Sequence, residues 1–206
     1  MLRYLAFGMT FAFAAAVQPG PFQAFLLAQT ARNGWRRTLP AAFAPLVSDG
    51  PIILLVLLVL SRVPAWLVTL LQGAGGLFLL FLAYGAWTTW RRGTVGPAVP
   101  GLDRQQTLLK ASLVNLLNPN PYLAWSLVMG PLLLKGWRAA PANGLALLAG
   151  FYSVLVVSTM GIVLLFGLAG SFGPKISRTL VGISALALAA FGLYELWLVA
   201  VALWRP

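Results

Sequence analysis

Two stretches of sequence decide the fold: QPGPF at residues 18–22 and NPNPY at residues 118–122. Each places two prolines within three residues, inside a long apolar segment. A proline has no backbone N–H to donate, and it disfavours helical geometry in the residue before it. A continuous helix therefore cannot pass through either stretch. The sequence predicts that helices 1 and 4 of the chain are broken, at Pro-Gly-Pro and at Asn-Pro-Asn-Pro.

The remainder of the chain is too apolar for a water-soluble protein. Of the 206 residues, 60% are hydrophobic and 8% are charged, whereas roughly a quarter of the residues in a soluble protein are charged. A transmembrane helix needs about 20 apolar residues. Apolar segments of at least that length cover residues 4–31, 38–61, 64–90, 111–134, 142–169 and 177–204. The sequence predicts an all-α integral membrane protein with six transmembrane helices.

The two halves of the chain repeat one another. Besides the two proline stretches, Gly34-Trp35-Arg36 in the first half matches Gly136-Trp137-Arg138 in the second, in the same order. We expect a first three-helix repeat at residues 1–90, a basic linker at 91–110 and a second three-helix repeat at 111–206. Because three is an odd number of spans, the second repeat would enter the membrane from the opposite side. Inverted repeats of this kind recur in secondary transporters.

The basic residues indicate orientation in the membrane. The net charge is +11, but the bases lie at the ends of apolar segments, which argues against nucleic-acid binding. Loops after the first, third and fifth segments carry nine Lys and Arg residues, and the other side carries five. Positively charged loops stay in the cytoplasm. We therefore predict that both termini lie outside and that the linker 91–110 is cytoplasmic.

The residue types present limit the chemistry. The chain contains no Cys and no His, which removes disulfides, thiolate ligands and imidazole proton relays. No catalytic triad, metal cluster or paired carboxylate site can be assembled from the sequence. We expect a protein that is not an enzyme, with no cofactor and no metal site.

The two breaks form the candidate substrate site. Half-helix N-termini after Pro21 and Pro121 carry partial positive charge and favour an anion such as a carboxylate. Polar residues beside the breaks could contact the solute, although interhelical hydrogen bonding is an equally good explanation for Asn115 and Asn118. The candidate substrate-binding residues are Gln18, Pro19, Gly20, Pro21, Asp49, Asn115, Asn118, Pro119, Asn120 and Pro121.

Two carboxylates lie inside apolar segments, Asp49 in the second and Glu195 in the sixth. An ionisable group at membrane depth costs about 2.5–3.5 kcal/mol on insertion scales and indicates a functional role. We predict that Asp49 takes part in proton coupling or pairs with a substrate ammonium, with structural hydrogen bonding as the alternative. Glu195 is a second candidate for proton coupling, and extension of its side chain to the membrane interface is the alternative.

These features resemble those of a known family. Pro19-Gly20-Pro21, the acidic Asp49 before Gly50, the run from Gly73 to Tyr84 and Asn118-Pro119 occur in the order and spacing of the LysE/RhtB-type amino-acid exporters. The resemblance implies export of amino acids or related small solutes across the bacterial inner membrane, driven by the proton gradient. It also implies six helices in two inverted halves, and it allows a homodimer.

Two other functions stay open from the sequence. A non-transporting scaffold or assembly subunit of a membrane complex would explain the small size and the Gly-rich helix faces, but not the paired breaks. A transporter of a divalent cation would normally carry several acidic or His ligands within the membrane. This chain offers two carboxylates, on separate helices.

The predicted orientation can be tested by cysteine labelling, because the chain has no cysteine of its own. A cysteine at Thr94, in the linker, should react with an impermeant thiol reagent only after the cells are opened. A cysteine at Leu2 should react in intact cells. Labelling of the Thr94 variant from outside would contradict the assignment.

Overall fold

The computed structural model describes residues 1–59, 64–92, 104–171 and 173–204, and within these ranges the regular structure is entirely helical. The α-helices are α1 (Leu2–Val17), α2 (Pro21–Asn33), α3 (Trp35–Thr38), α4 (Ala44–Leu54), α5 (Ala65–Arg92), α6 (Arg104–Leu116), α7 (Pro119–Ala124), α8 (Gly130–Ala139), α9 (Pro141–Ser171) and α10 (Pro174–Trp204). A 3₁₀ segment, Leu39–Phe43, joins α3 to α4. π-helical segments follow α4 at Leu55–Val59 and α7 at Trp125–Met129.

Within the described residues, four helical stretches are long and apolar enough to cross a membrane: Trp35–Leu57, Ala65–Arg92, Pro141–Gly170 and Lys175–Trp204. The pair α1 and α2, bent by 63° at their break, gives a fifth candidate. The predicted segment 111–134 is divided among α6, α7, a π-helical segment and α8, each shorter than a span. The described chain is thus a multi-pass helical membrane protein with four to five candidate spans, where the sequence predicted six.

The predicted linker 91–110 is described only at its two ends. Arg91 and Arg92 close α5, and α6 already begins at Arg104. Residues 93–103, which include Asp103, lie outside the described residues.

Each break divides a helix between two separate parts of the core. One cluster of buried side chains contains Ala12 and Ala16 of α1 together with Tyr122, Trp125 and Met129 that follow the second break. The other contains α2, with Phe25 and Leu26 at its centre, together with Ala111 and Val114 of α6. α1 and α7 therefore belong to one cluster, and α2 and α6 belong to the other. The breaks lie at the junction between the two clusters.

Glycines allow two pairs of helices to approach closely. A Cβ at Gly8 of α1 would overlap the Leu147 carbonyl of α9, and a Cβ at Gly150 of α9 would overlap the Leu5 carbonyl of α1. In α5 and α10, a Cβ at Gly76 or at Gly192 would lie 2.9 Å from the carbonyl oxygen of the other. Small residues serve the same purpose at membrane helix interfaces generally, where association depends on van der Waals packing.

The α1–α9 contact gives a prediction about stability. We expect Gly8→Ala to destabilise the fold by about 1–3 kcal/mol, as overpacking does when backbone must move. The matched control is Gly161→Ala in α9, because a Cβ there meets nothing within 4 Å. Thermal unfolding of the purified proteins should give a lower midpoint for Gly8→Ala and no decrease for Gly161→Ala. Equal midpoints would contradict the close packing of α1 on α9.

Candidate functional site

The first break leaves a gap of three residues between α1, which ends at Val17, and α2, which begins at Pro21. The carbonyl of Ala16 accepts a hydrogen bond from Gln23 Nε2 at 2.8 Å, so a side chain of α2 satisfies a carbonyl of α1. Gly20 caps α2 in an extended conformation, and no side chain caps this end. The first N–H groups of α2 therefore lack an intrahelical partner.

The second break is bridged in the same way by a different residue. α6 ends at Leu116, and the Tyr122 hydroxyl donates to the Leu116 carbonyl at 3.0 Å. Residues 16 and 116 hold the same position relative to the two proline stretches. The N-terminus of α7 differs from that of α2, because Asn118 Oδ1 accepts from the Asn120 N–H at 3.0 Å and caps it.

A cavity of about 470 Å³ lies between the two breaks. Nine of the ten predicted substrate-binding residues line it; the exception is Pro119, which is buried and lines a separate small cavity. Most of the remaining lining is apolar or aromatic. These apolar residues include Phe11, Phe22, Trp125, Met129, Phe151 and Leu155.

Asp49 is the buried carboxyl group of this cavity, with 3% of its surface exposed. Asn115 Nδ2 donates to its Oδ1 at 2.9 Å, and the Tyr152 hydroxyl donates to its Oδ2 at 3.2 Å. The Trp125 indole lies within hydrogen-bonding reach of the same carboxylate. Asn115 also donates to Ser48 Oγ at 2.7 Å. Donors from α6, α9 and the π-helical segment after α7 thus converge on one side chain of α4.

Local structure positions these groups. Pro51 lies inside α4 and removes one backbone hydrogen bond just after Asp49, and the π-helical segment Leu55–Val59 follows. Trp125 opens the other π-helical segment and is 1% exposed. Such π segments occur often at functional sites, because they redirect side chains that a regular helix would place elsewhere.

Among the residues that line the cavity, Asp49 is the one charged side chain. The other polar contacts come from neutral side chains: Gln18, Gln23, Asn115, Asn118, Asn120 and Thr159. The lining residues of the cavity thus include one acidic side chain and no basic one. Such a site is complementary to a ligand that carries an amine.

Glu195 does not join Asp49. It lies on α10 beside the small cavity that Pro119 also lines, and its Oε2 is buried without a hydrogen-bond partner. The Gln72 side chain of α5 is within hydrogen-bonding reach of the carboxyl group. The carboxyl group is thus turned into the protein, and the structure keeps the two intramembrane carboxylates in different cavities.

Basic residues lie away from the main cavity, at the ends of α2 and α6. Arg32 is in the last turn of α2, and Lys110 is in the segment of α6 predicted as linker. Partial burial and the positive charge of Arg32 lower the pKa of Lys110. Neither side chain lines the cavity.

Sequence reasoning missed several residues of the site. Tyr152 and Trp125 contact Asp49, and Gln23 and Tyr122 bridge the breaks. The one signal available was proximity, because Gln23 directly follows the first proline stretch and Tyr122 is the last residue of the second. Nothing in the sequence distinguishes Tyr152 or Trp125 from the aromatic residues that face lipid.

A family model described as LysE type translocator matches residues 13–197. This range includes both breaks, Asp49 and Glu195. The chain belongs to the LysE type translocator family. The resemblance drawn from the sequence motifs is therefore confirmed. No curated protein and no solved structure matches the chain.

Membership in this family identifies the chain as a membrane transporter. Its members are not typically enzymes, and the family implies a small-molecule substrate and a lipid bilayer as surroundings.

The bridge across the second break of this translocator gives a testable prediction. Tyr122→Phe removes the hydroxyl that satisfies the Leu116 carbonyl, and a buried unsatisfied polar group costs about 1–3 kcal/mol. We expect a lower thermal midpoint for the purified variant. Tyr84→Phe is the matched control, since Tyr84 is 68% exposed on α5. If the two variants unfold at the same temperature, the hydroxyl does not support the break.

Proposed function

We propose that this LysE-type translocator exports amino acids or related small solutes in exchange for protons, and that the solute binds in the cavity between the breaks. The observation that carries the proposal is Asp49, the single charged side chain in that cavity, held by donors from three elements. A non-transporting scaffold would require neither the cavity nor this arrangement. The proposed setting is the bacterial inner membrane, with both termini outside and the linker 91–110 in the cytoplasm.

The substrate amine would lie at Asp49. Its carboxylate accepts three hydrogen bonds from neutral donors but has no cationic partner among the cavity residues. A substrate ammonium supplies the missing opposite charge in a site of low polarity, where an ion pair gains far more than it does in water. A divalent cation is less well matched, because Ca²⁺ and Mg²⁺ take six or more oxygen ligands and are usually held by several carboxylates.

The substrate carboxylate would lie at the N-terminus of α2. That helix has 13 residues and no side-chain cap, so its first N–H groups are free to bind an anion. The N-terminus of α7 already has an acceptor, Asn118 Oδ1. The difference between the two breaks favours one orientation of an amino acid, with the carboxylate at the first break and the amine at Asp49.

The rest of the cavity favours an apolar side chain. Phe11, Phe22, Phe151, Met129 and Leu155 supply an apolar wall, and no cation is present to receive an acidic side chain. A volume of about 470 Å³ is within the range of small-molecule sites. We therefore infer that neutral amino acids with apolar or aromatic side chains are preferred over acidic ones.

Proton coupling follows from competition for one carboxylate. Ionised Asp49 attracts an ammonium, whereas protonated Asp49 has no charge to offer it. The ammonium would bind Asp49 in one state of the transporter and the proton would bind it in the other. Each solute that moves outward would then be exchanged for a proton that moves inward. A change of access would fit movement of the two core clusters against each other, because the breaks lie at their junction.

This arrangement is the one expected of two inverted three-helix repeats, which we retain as part of the proposal. Transporters built in this way bind their solutes near the midplane, at broken helices, and rock one unit against the other. A homodimer is compatible with the proposal.

The proposal is tested by export from liposomes. Purified protein is reconstituted in liposomes loaded with neutral, acidic and basic amino acids, sugars and divalent cations, and a pH gradient is imposed. The solutes that leave are identified by mass spectrometry. We expect gradient-dependent loss of neutral apolar amino acids from the wild type, and a fall to the rate of empty liposomes for Asp49→Asn.

The matched control is Asp103→Asn, the same chemical change in the linker. It should export like the wild type, and all proteins should elute at the same position in size-exclusion chromatography. Full gradient-driven export by Asp49→Asn would refute the role of Asp49 in coupling. If no solute leaves with correctly folded wild-type protein, the transport proposal is wrong and the scaffold function gains support.

A further inference from the structure

A second, small cavity lies behind the two breaks. Its volume is about 10 Å³, close to what a single water molecule needs. Pro21 of the first break and Asn118 of the second line both this cavity and the main one. Residues of the breaks therefore form the wall between the cavity of Asp49 and the cavity of Glu195.

Two residues that line the small cavity carry polar groups without their usual hydrogen-bond partner. One is Glu195, whose Oε2 is buried without a hydrogen bond. The other is the carbonyl of Leu117, because Pro121, four residues later, has no N–H to donate. A Cβ at Gly75 would lie 2.6 Å from this carbonyl oxygen, so the oxygen faces α5 at the edge of the same cavity.

The described residues that line the small cavity with Glu195 include no basic side chain. From α5 the polar neighbour is Gln72, a neutral amide. The other cavity residues come from α2, α5, α6 and the second break, and none of them ionises: Pro21, Gly75, Phe78, Leu79, Val114, Leu117, Asn118 and Pro119. An ionised carboxylate here would place charge on the buried Oε2 with no cation among the residues that line the cavity, and burial of an unpaired charge is unfavourable.

A neutral acid fits the same surroundings. The carboxyl O–H can donate to one water molecule, and that water can donate to the Leu117 carbonyl, while Gln72 contacts the carboxyl from the other side. Both unpartnered groups are then satisfied and no charge is buried. Glycine at position 75 leaves the space that this connection needs.

We propose that Glu195 is a proton-holding site behind the breaks, a protonated carboxyl linked through one water to the freed carbonyl of Leu117. This proton is separated from Asp49 by the wall that the breaks form. Loss of the proton would place an uncompensated charge against the second break, so protonation of Glu195 and the packing of α10 against the breaks are coupled. The inference goes beyond the proposed function, because it does not depend on which solute is carried.

Infrared spectroscopy of the protein in lipid tests the protonation state directly. The chain has three carboxyl side chains, Asp49, Asp103 and Glu195, so single substitutions can assign the carboxylic-acid C=O band and its shift in D₂O. In the Asp49→Asn background, we expect Glu195→Gln to remove an acid band that Asp103→Asn leaves in place. If Glu195→Gln leaves the acid band unchanged and instead reduces the carboxylate absorption, Glu195 is ionised and the proposal is overturned.

A pair of variants tests the water-mediated link. Glu195→Gln keeps a neutral hydrogen-bond donor and should unfold near the wild-type temperature, whereas Glu195→Leu removes the donor and should unfold at a lower temperature. If Gln destabilises as much as Leu, the side chain does not act as a neutral donor, and the link is refuted. Neither experiment measures export, so failure of the exporter proposal and failure of this one give distinguishable results.

Discussion

The structure depends on one constraint: a backbone carbonyl in the hydrocarbon region must find a donor within the protein. The prolines at each break end the helix, so the N–H groups of Gly20 and Asn120 do not bond to the carbonyls four residues before them. The carbonyls at residues 16 and 116 are satisfied instead by Gln23 and Tyr122, side chains that follow the breaks. The ends of α1 and α6 are therefore tolerated here because the chain carries its own replacement donors, and these donors place polar side chains inside an apolar protein.

That constraint also explains why the cavity lies where it does. A broken helix cannot pack as a single rod, so α1 packs with the residues after the second break, and α2 packs with α6. Two clusters of side chains result, and the breaks with their polar groups meet between them. A cavity at this junction is in contact with both clusters, so a change inside the cavity can alter the packing of both.

The sequence was sufficient for the parts of the structure that depend on local chemistry. Prolines at 19, 21, 119 and 121 predicted where helices end, and the helices do end at Val17 and Leu116. It was insufficient where distant residues meet. Tyr152 lies 103 positions from Asp49 along the chain. The sequence of an apolar helix does not show whether one of its aromatic residues faces lipid or a carboxylate. The fourth segment was expected to form one span because its hydropathy depends on composition alone. In the structure, the break and the π-helical segment divide it into shorter helices.

The two halves of the chain contribute different chemical groups around the cavity, and this difference bears on the proposed recognition. Asp49 belongs to the first half and Glu195 to the second. The N-terminus of α2 is open, and that of α7 is capped by Asn118. A symmetrical cavity would bind a two-ended solute equally well in both directions. Under the proposed function, the uncapped N-terminus of α2 and the single carboxyl group in the cavity would give a zwitterionic solute one favoured orientation, with its amine at the carboxyl group proposed to take up a proton.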